Sequence, residues 1–335
     1  MKAKTSLLGM GLLLLAALLW GFGFTTQDLA LAVIGPYTLG SIRNLLATLF
    51  LIPVIMFFDR KTERRLFSLK NGRPHIDIKR VELIGGISCG IALTVAATLQ
   101  AIGIAGETDT GTAAFITSLY MIFVPLIGLF RGKLPSARVW CCVLGALVGF
   151  YFLSANIVFT ESGIGGFFSG LFSGGLRFAA SDIIVLIGAV VFAIHIIVID
   201  KFSPDSDGIR LSAIQTLTSG ILLFPIMLIV DRPSMAEILS VALPILYLAI
   251  FSSGIAYTAQ IVGQKHVDVT IASIILSMES VFGALFGILF LNETKNAIQT
   301  VGCLLVFAAV VIAQLPAREK KKKGEDKSED SENAN

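Results

Sequence analysis

Charge is what this sequence has least of. Only 15% of its 335 residues are Asp, Glu, Lys or Arg, against ~25% in a typical soluble domain, and 55% are hydrophobic. That balance excludes an ordinary pair of soluble domains and makes a bilayer the solvent. The chain has 3 histidines, and no cluster of them with Cys, Asp or Glu suggests a metal site. A glycine-rich phosphate loop and a nucleophile triad are missing too, so neither ATP nor covalent catalysis has residues to rest on. Behind the net charge of +3 there is no basic patch, which leaves nucleic acid without a binding surface. The 4 cysteines, Cys89, Cys141, Cys142 and Cys303, all fall in apolar segments and read as small hydrophobes, not a disulfide framework.

What is present is hydrocarbon-length apolar sequence. Ten segments are long enough to cross a core of ~30 Å at 1.5 Å per helical residue: 6–25, 36–58, 82–104, 110–130, 137–155, 178–199, 210–230, 241–263, 269–291 and 297–315. The first resembles a signal peptide in its charged start, but a small-x-small cleavage site is lacking, so it reads as a working helix. Placing the N-terminus in the cytoplasm puts 22 of the 26 Lys and Arg inside, with Arg177, Arg232 and Lys295 outside and Arg43 within a span. Both termini are then cytoplasmic and the protein is multi-pass in the cell membrane. The loop 59–80, Arg80 included, carries eight of the inside cations and reads as a topology anchor or a contact with anionic lipid. After Pro316 a basic block is followed by an acidic one, the pattern of a disordered tail.

The Gly-, Ser- and Phe-rich stretch 156–177 divides the spans into two sets of five, and the sets align. LIPVIMFFDR (51–60) matches LFPIMLIVDR (223–232) at a shift of 172, which puts Pro53 on Pro225, Asp59 on Asp231, Gly23 on His195 and Arg43 on Gln215. CGIALT (89–94) matches SGIAYT (253–258) at 164, and Tyr120 falls on Glu279 at 159. The shift changes only in loops. Because five is odd, the second set enters the membrane upside down relative to the first. The expected fold is therefore an all-α integral membrane protein of ten transmembrane helices in two inverted-topology five-helix repeats. The repeats are 6–155 and 178–315, with the linker 156–177 between them and the tail 316–335 after them.

The segment LSMESVFGALFGILFLNET resembles the second-repeat signature of the drug/metabolite transporter superfamily, EamA family, with Ser280 where a Pro is usual and Asn292 where a Gly is usual. LLWGFGF (18–24), SIRNLLATLFLIP (41–53), GTAAFITSLYMIFVP (111–125) and FAIHIIVIDKF (192–202) resemble its first, second, fourth and sixth helices. In the first repeat Gly132-Lys133 replaces the usual Gly-Glu that Asn292-Glu293 echoes in the second, so a symmetric role for Glu293 is not supported. The resemblance implies helices 1 to 4 and 6 to 9 around a central cavity, with helices 5 and 10 peripheral. It also implies a secondary-active carrier of small organic metabolites such as amino acids, often an exporter, and not an enzyme. A channel-like facilitator would need a continuous polar stripe, and a membrane scaffold would need no cavity. The partners expected are a small-molecule solute, protons or another coupling ion, and the lipid bilayer. A homodimer is compatible with the sequence, and no cofactor or metal is implied.

Polar residues at membrane depth are the candidate site. Glu279 is the single charge in a 23-residue apolar run, either a coupling or substrate-contacting carboxylate or a protonated structural donor. Arg43 lies about two turns inside the outer face, so it either snorkels ~10 Å to that interface or turns inward as a bidentate carboxylate clamp. His195 is either a proton relay or a packed, satisfied histidine. Tyr120, Tyr257, Gln100, Gln215, Gln260, Thr94, Thr117 and Ser118 supply neutral donors and acceptors, some for solute and some for helix contacts. Trp20 is a belt residue or a gate. GGISCG (85–90) and GALFG (283–287) have the spacing for close helix crossings, and Pro53, Pro125, Pro225 and Pro244 are candidate kinks.

Overall fold

The computed structural model describes residues 6–60, 64–70, 73–106, 108, 110–130, 132, 136–154, 180–291 and 297–314. They form helices α1 (Leu7–Leu31), α2 (Pro36–Asp59), α3 (Arg80–Ala105), α4 (Thr110–Ser118 and Tyr120–Phe130) and α5 (Ala137–Ser154). The second half supplies α6 (Ala180–Phe202), α7 (Gly208–Ile226, continued by a π stretch at Met227–Asp231) and α8 (Ala242–Tyr247, π stretch Leu248–Ala256, Tyr257–Gln264). It ends with α9 (Val269–Leu276 and Met278–Leu291) and α10 (Ala297–Gln314). Eight of these runs are long and apolar enough to cross a membrane, and Ala137–Gly149 and Thr300–Ala309 are shorter apolar stretches. The linker, the tail and Glu293 lie outside the described residues.

The helices start where the sequence provides caps. Ser6 accepts from Gly9 N, Asp207 from Ile209 N and Arg210 N, and Asp268 from Thr270 N, each supplying an acceptor that the first turn of a helix lacks. Side chains such as Leu222, Phe251, Leu289 and Leu304 stand exposed around the outside, as a hydrocarbon solvent allows. Two details differ from the sequence reading. Helix α1 runs six residues past 25, because Thr26 returns its hydroxyl to Phe22 O and Gly23 O and Gln27 Oε1 accepts from Arg43, so these oxygens are satisfied inside the bundle. The all-α expectation also misses a hairpin in the second loop, Phe67–Lys70 against Arg73–Ile76. The sequence between those strands is Asn71-Gly72, a pair favoured in two-residue hairpin turns.

Helix α2 packs along α7, α5 along α10, α3 against both α6 and α7, and α8 against both α1 and α2. Glycines set the closest approaches. A Cβ on Gly86 would lie 2.5 Å from Ile214 Cβ, and one on Gly90 2.7 Å from Gln215 O, so α3 and α7 touch backbone to side chain there. Along the α2–α7 seam Thr48 meets Thr216 (2.9 Å), Asn44 donates to Ser219 Oγ (3.1 Å) and Ser41 to Gly220 O (3.1 Å).

The repeat-matched aspartates close the two ends of that seam. Asp59, the last residue of α2, pairs with Arg210 in the first turn of α7 (2.7 Å) and also accepts from Leu66 N. Asp231, at the end of α7, accepts from Thr38 N (2.6 Å) and Thr38 Oγ1 (2.8 Å) in the first turn of α2. Thr38 and Arg210 are themselves repeat mates at the shift of 172. Gly35 makes room for the second contact, since a Cβ there would fall 2.2 Å from Asp231 Cγ. Beside the Asp59 end, Arg64 bridges Glu82 and Asp77, and Glu82 also accepts from Asp207 N. The Glu82 carboxylate, bonded twice by Arg64, pushes that guanidinium well above its ordinary pKa range.

Removing Asp59 leaves Arg210 buried with only the half-exposed Asp207 as partner. The Asp59→Asn change is expected toward the lower end of the ~3 to 5 kcal/mol that breaking a buried ion pair costs. Asp231→Asn removes only a cap and should cost ~0.5 to 2 kcal/mol. Thermal unfolding of the two variants in one detergent checks the order, and a larger loss for Asp231→Asn would contradict this account of the seam.

Candidate functional site

A partly open cavity lies within the bundle, with ≈ 520 Å³ of space between atoms that includes its opening to solvent, lined by residues of α1, α2, α3, α4, α6, α8 and α9. Among the expected site residues it gathers Arg43, Gln100, Thr117, Tyr120, His195, Tyr257 and Glu279. Its walls also carry aromatic side chains, Trp20, Phe24 and Phe192 beside the two tyrosines. Gln215 does not reach it: wholly buried, it sits behind His195, and its Oε1 accepts from the ring at Nε2 (3.1 Å). Thr94 is likewise not a lining residue, because its hydroxyl returns to Gly90 O one turn back in its own helix.

Arg43 does not snorkel. Only 7% exposed, its guanidinium donates from Nε to Ser253 Oγ and from Nη1 to Gln27 Oε1, each at 3.0 Å, with a 3.5 Å contact from Nη2 to Ser252 Oγ. The two serines are consecutive, and the π stretch Leu248–Ala256 turns both toward one guanidinium. A wider helical turn narrows the angle between neighbouring side chains. That stretch begins four residues after Pro244. Trp20 is a wall residue, not a belt residue: its indole N–H donates to Ser252 O (3.0 Å) and its ring lies 5.1 Å from Tyr257.

Across the cavity, Glu279 is 4% exposed and begins the second segment of α9. The hydroxyl of Tyr120 faces this carboxyl group, and neither Tyr120 Oη nor Glu279 Oε1 makes a hydrogen bond of good geometry to any other group. Tyr257 lies between the two charged residues and feels both. His195 is turned edge-on to Tyr257 (5.9 Å). Gln100 donates to Thr117 Oγ1 (2.9 Å), and Gln260 Oε1 is a further buried acceptor with no donor.

Both helices that carry the matched pair Tyr120 and Glu279 are interrupted next to it, α4 at Leu119 and α9 at Ser277. The interruptions touch. Ser280 donates to Ala114 O (2.6 Å) and shares a short bond with Ser118, whose hydroxyl also approaches Ser277 O (3.5 Å). Ser280 stands where the resembled signature has Pro, which has no side-chain donor to make that bond. The sequence reading did not single out Gln27, Ser252 or Ser253. Gln27 was lost with the last turn of α1, whereas two serines in an apolar run carry no signal of direction.

Helix α1 passes Glu279 at Gly21, where a Cβ would lie 2.5 Å from Phe282 Cβ, 2.9 Å from Gly283 N and 3.0 Å from Glu279 O. Gly21→Ala is therefore expected to push α1 off α9, lowering stability by ~1 to 3 kcal/mol through overpacking. Gly11→Ala, with nothing within 4 Å, should be neutral or should stabilise by up to ~1 kcal/mol. Melting temperatures of the two variants check this, and equal values would refute the close crossing.

The sequence profile of the EamA-like transporter family matches residues 7–172 and again 179–314. An uncharacterized transporter of Archaeoglobus fulgidus is 30% identical over 305 residues, covering 90% of this chain and 84% of the relative. One of Methanothermobacter thermautotrophicus is 24% identical over 307 residues, covering 89% and 83%. A solved crystal structure with 16% sequence identity superposes with a TM-score of 0.68 over 91% of this chain and 96% of that one, a likeness of fold. With a family match over both halves and a relative of this identity and coverage, the chain belongs to the EamA-like transporter family.

Proposed function

We propose that the protein is a secondary-active transporter, an exporter, of small organic metabolites of the size and polarity of an amino acid, working by alternating access in the cell membrane. The observation that carries this reading is the cavity. It takes side chains from both halves of the chain and has aromatic walls that suit a small organic solute. It holds one guanidinium and one carboxyl group, and its lining includes polar atoms without a partner.

An inverted repeat is supported by the pairing of helices. Exchanging α1–α5 with α6–α10 turns the α3 contacts with α6 and α7 into the α8 contacts with α1 and α2, and leaves α2 with α7 and α5 with α10 unchanged. The Asp59–Arg210 and Asp231–Thr38 contacts are exchanged in the same way. In this reading the chain has ten spans with both termini cytoplasmic, which the helix pairing and the distribution of Lys and Arg support. Ser234 and Ser136 are exposed in the segments before α8 and α5, on opposite sides in this topology. In intact cells a cysteine introduced by Ser234→Cys should be labelled by an impermeant reagent, and one introduced by Ser136→Cys should not. Labelling of the second alone would reverse the orientation.

Glu279 is the coupling carboxylate in this reading, binding a proton or a cation in turn with the solute. Buried without a partner for Oε1, it is poised to exchange a ligand and does not serve as a structural clamp. Glu279→Gln keeps the shape and forbids ionisation. In liposomes the variant is expected to lose uptake driven by a pH gradient and to keep solute counterflow, because exchange needs the cavity but no net proton movement. Normal gradient-driven uptake would remove Glu279 from the coupling step, and loss of both activities would make its role structural.

A further inference from the structure

Two arginines outside the cavity show what a withdrawn guanidinium is usually given: Arg210 has Asp59 at 2.7 Å, and Arg64 has Glu82 at 2.8 Å. Arg43 has none. Among the described residues its hydrogen bonds go only to neutral oxygens of Ser253, Gln27 and Ser252, the last at the limit of bonding distance. A guanidinium has five N–H donors, so at least two remain unused. Glu279 lines the same cavity but forms no ion pair with it. Next to the guanidinium, Gln27 Nε2 is a second buried donor without an acceptor, on a side chain that is 5% exposed and lines the cavity. A positive charge and spare donors, desolvated together and lacking any anion, are an incomplete set.

We infer that the corner of the cavity formed by Arg43, Gln27 and Ser252 is a binding site for a small anionic group. It is filled by the carboxylate end of the carried solute or by a free inorganic anion. The planar fork of Arg43 presents two parallel N–H donors to a carboxylate, and the Gln27 amide adds a third from α1. Anchoring one end of the solute at Arg43 turns its other end toward Tyr257 and Glu279, which suits a substrate with a carboxylate at one end and a polar or cationic group at the other. This substrate class rests on the transport reading above, whereas the anion site itself does not.

The site has a built-in reporter, since the Trp20 indole donates to Ser252 O and the sequence has only 2 tryptophans. In the purified full-length Trp140→Phe protein, Trp20 emission is followed while sodium acetate, sodium chloride or neutral acetamide is added at ionic strength held constant with a bulky sulfonate buffer. Acetate is expected to give a saturable change and acetamide none. Arg43→Gln should weaken the apparent acetate affinity by about tenfold or more, the loss expected for a charge-assisted bond. Gln27→Glu, which installs an internal counter-ion, should abolish the response while raising the melting temperature, so the inference stays testable if Arg43→Gln fails to fold. Saturation by chloride that competes with acetate assigns the site to free anions, and saturation by acetate alone assigns it to a solute carboxylate. No saturable response to either, or the same curve in both variants, overturns the anion site. Acetate binding in a protein that transports nothing would instead sink the transport reading and leave the site standing.

Discussion

Hydrocarbon supplies no hydrogen bonds, so each polar side chain within the spans has to find its partner inside the bundle. The arrangement of this protein follows from where those partners are. Ser41, Asn44 and Thr48 on α2 meet Thr216, Ser219 and Gly220 on α7, which makes the seam between the halves a ladder of neutral contacts with an aspartate at each end. Asp59 and Asp231 sit at the C-terminal ends of their helices, where a negative charge is poorly placed with respect to its own helix. Each is instead spent on the N-terminal turn of the opposite helix, where donors are free. With α2 and α7 held at both ends, the remaining polar groups of α1, α3, α4, α6, α8 and α9 are left facing a shared interior, and the cavity lies there.

The interior is also where the two halves stop being alike. The terminal aspartates and the pair Pro53 and Pro225 recur at the repeat shift, and the α4 and α9 interruptions recur within one residue of it, but the charged chemistry does not: Arg43 has Gln215 as its mate, and Glu279 has Tyr120. In both halves the second-helix side chain bonds to one on the first helix, Arg43 to Gln27 and Gln215 to His195. The geometry is kept while the charge is placed on one side only. The shared interior thereby receives one basic side chain, from α2, and one acidic side chain, from α9.

Much of this was legible in the sequence because it depends on period and length. Apolar runs of the right length gave the spans, the shift of 172 aligned Asp59 with Asp231, and a lone Glu279 in 23 apolar residues marked the cavity. What stayed hidden depends on direction. Arg43 at its depth had two available exits, outward along its own stem or inward to partners, and only the positions of Gln27, Ser252 and Ser253 on other helices decide between them. Gln215 has the composition of a cavity residue and the place of a supporting one, because the choice is made by which side of His195 it stands on. The hairpin at 67–76 had a turn signal in Asn71-Gly72, masked by the loop's high charge.

Ser280 shows how a departure from a family pattern can be read physically. A proline at that position would interrupt α9 by removing a backbone donor and crowding the preceding turn. Here the helix is interrupted at Ser277 without it, and the hydroxyl of Ser280 reaches across to Ala114 O and Ser118 at the matching interruption in α4. The break is thus held by a bond between the two halves and not by a ring within one. A proline break is permanent, whereas a hydroxyl can exchange one acceptor for another, Ala114 O for Ser118 Oγ, without breaking the chain of contacts. The Tyr120 and Glu279 side chains leave their helices within two residues of these interruptions, so any sliding of α4 past α9 changes the separation of the two groups directly. The interruption and the carboxyl group therefore belong together: the helical bonding of α9 is broken two residues before the side chain whose Oε1 is buried without a hydrogen bond.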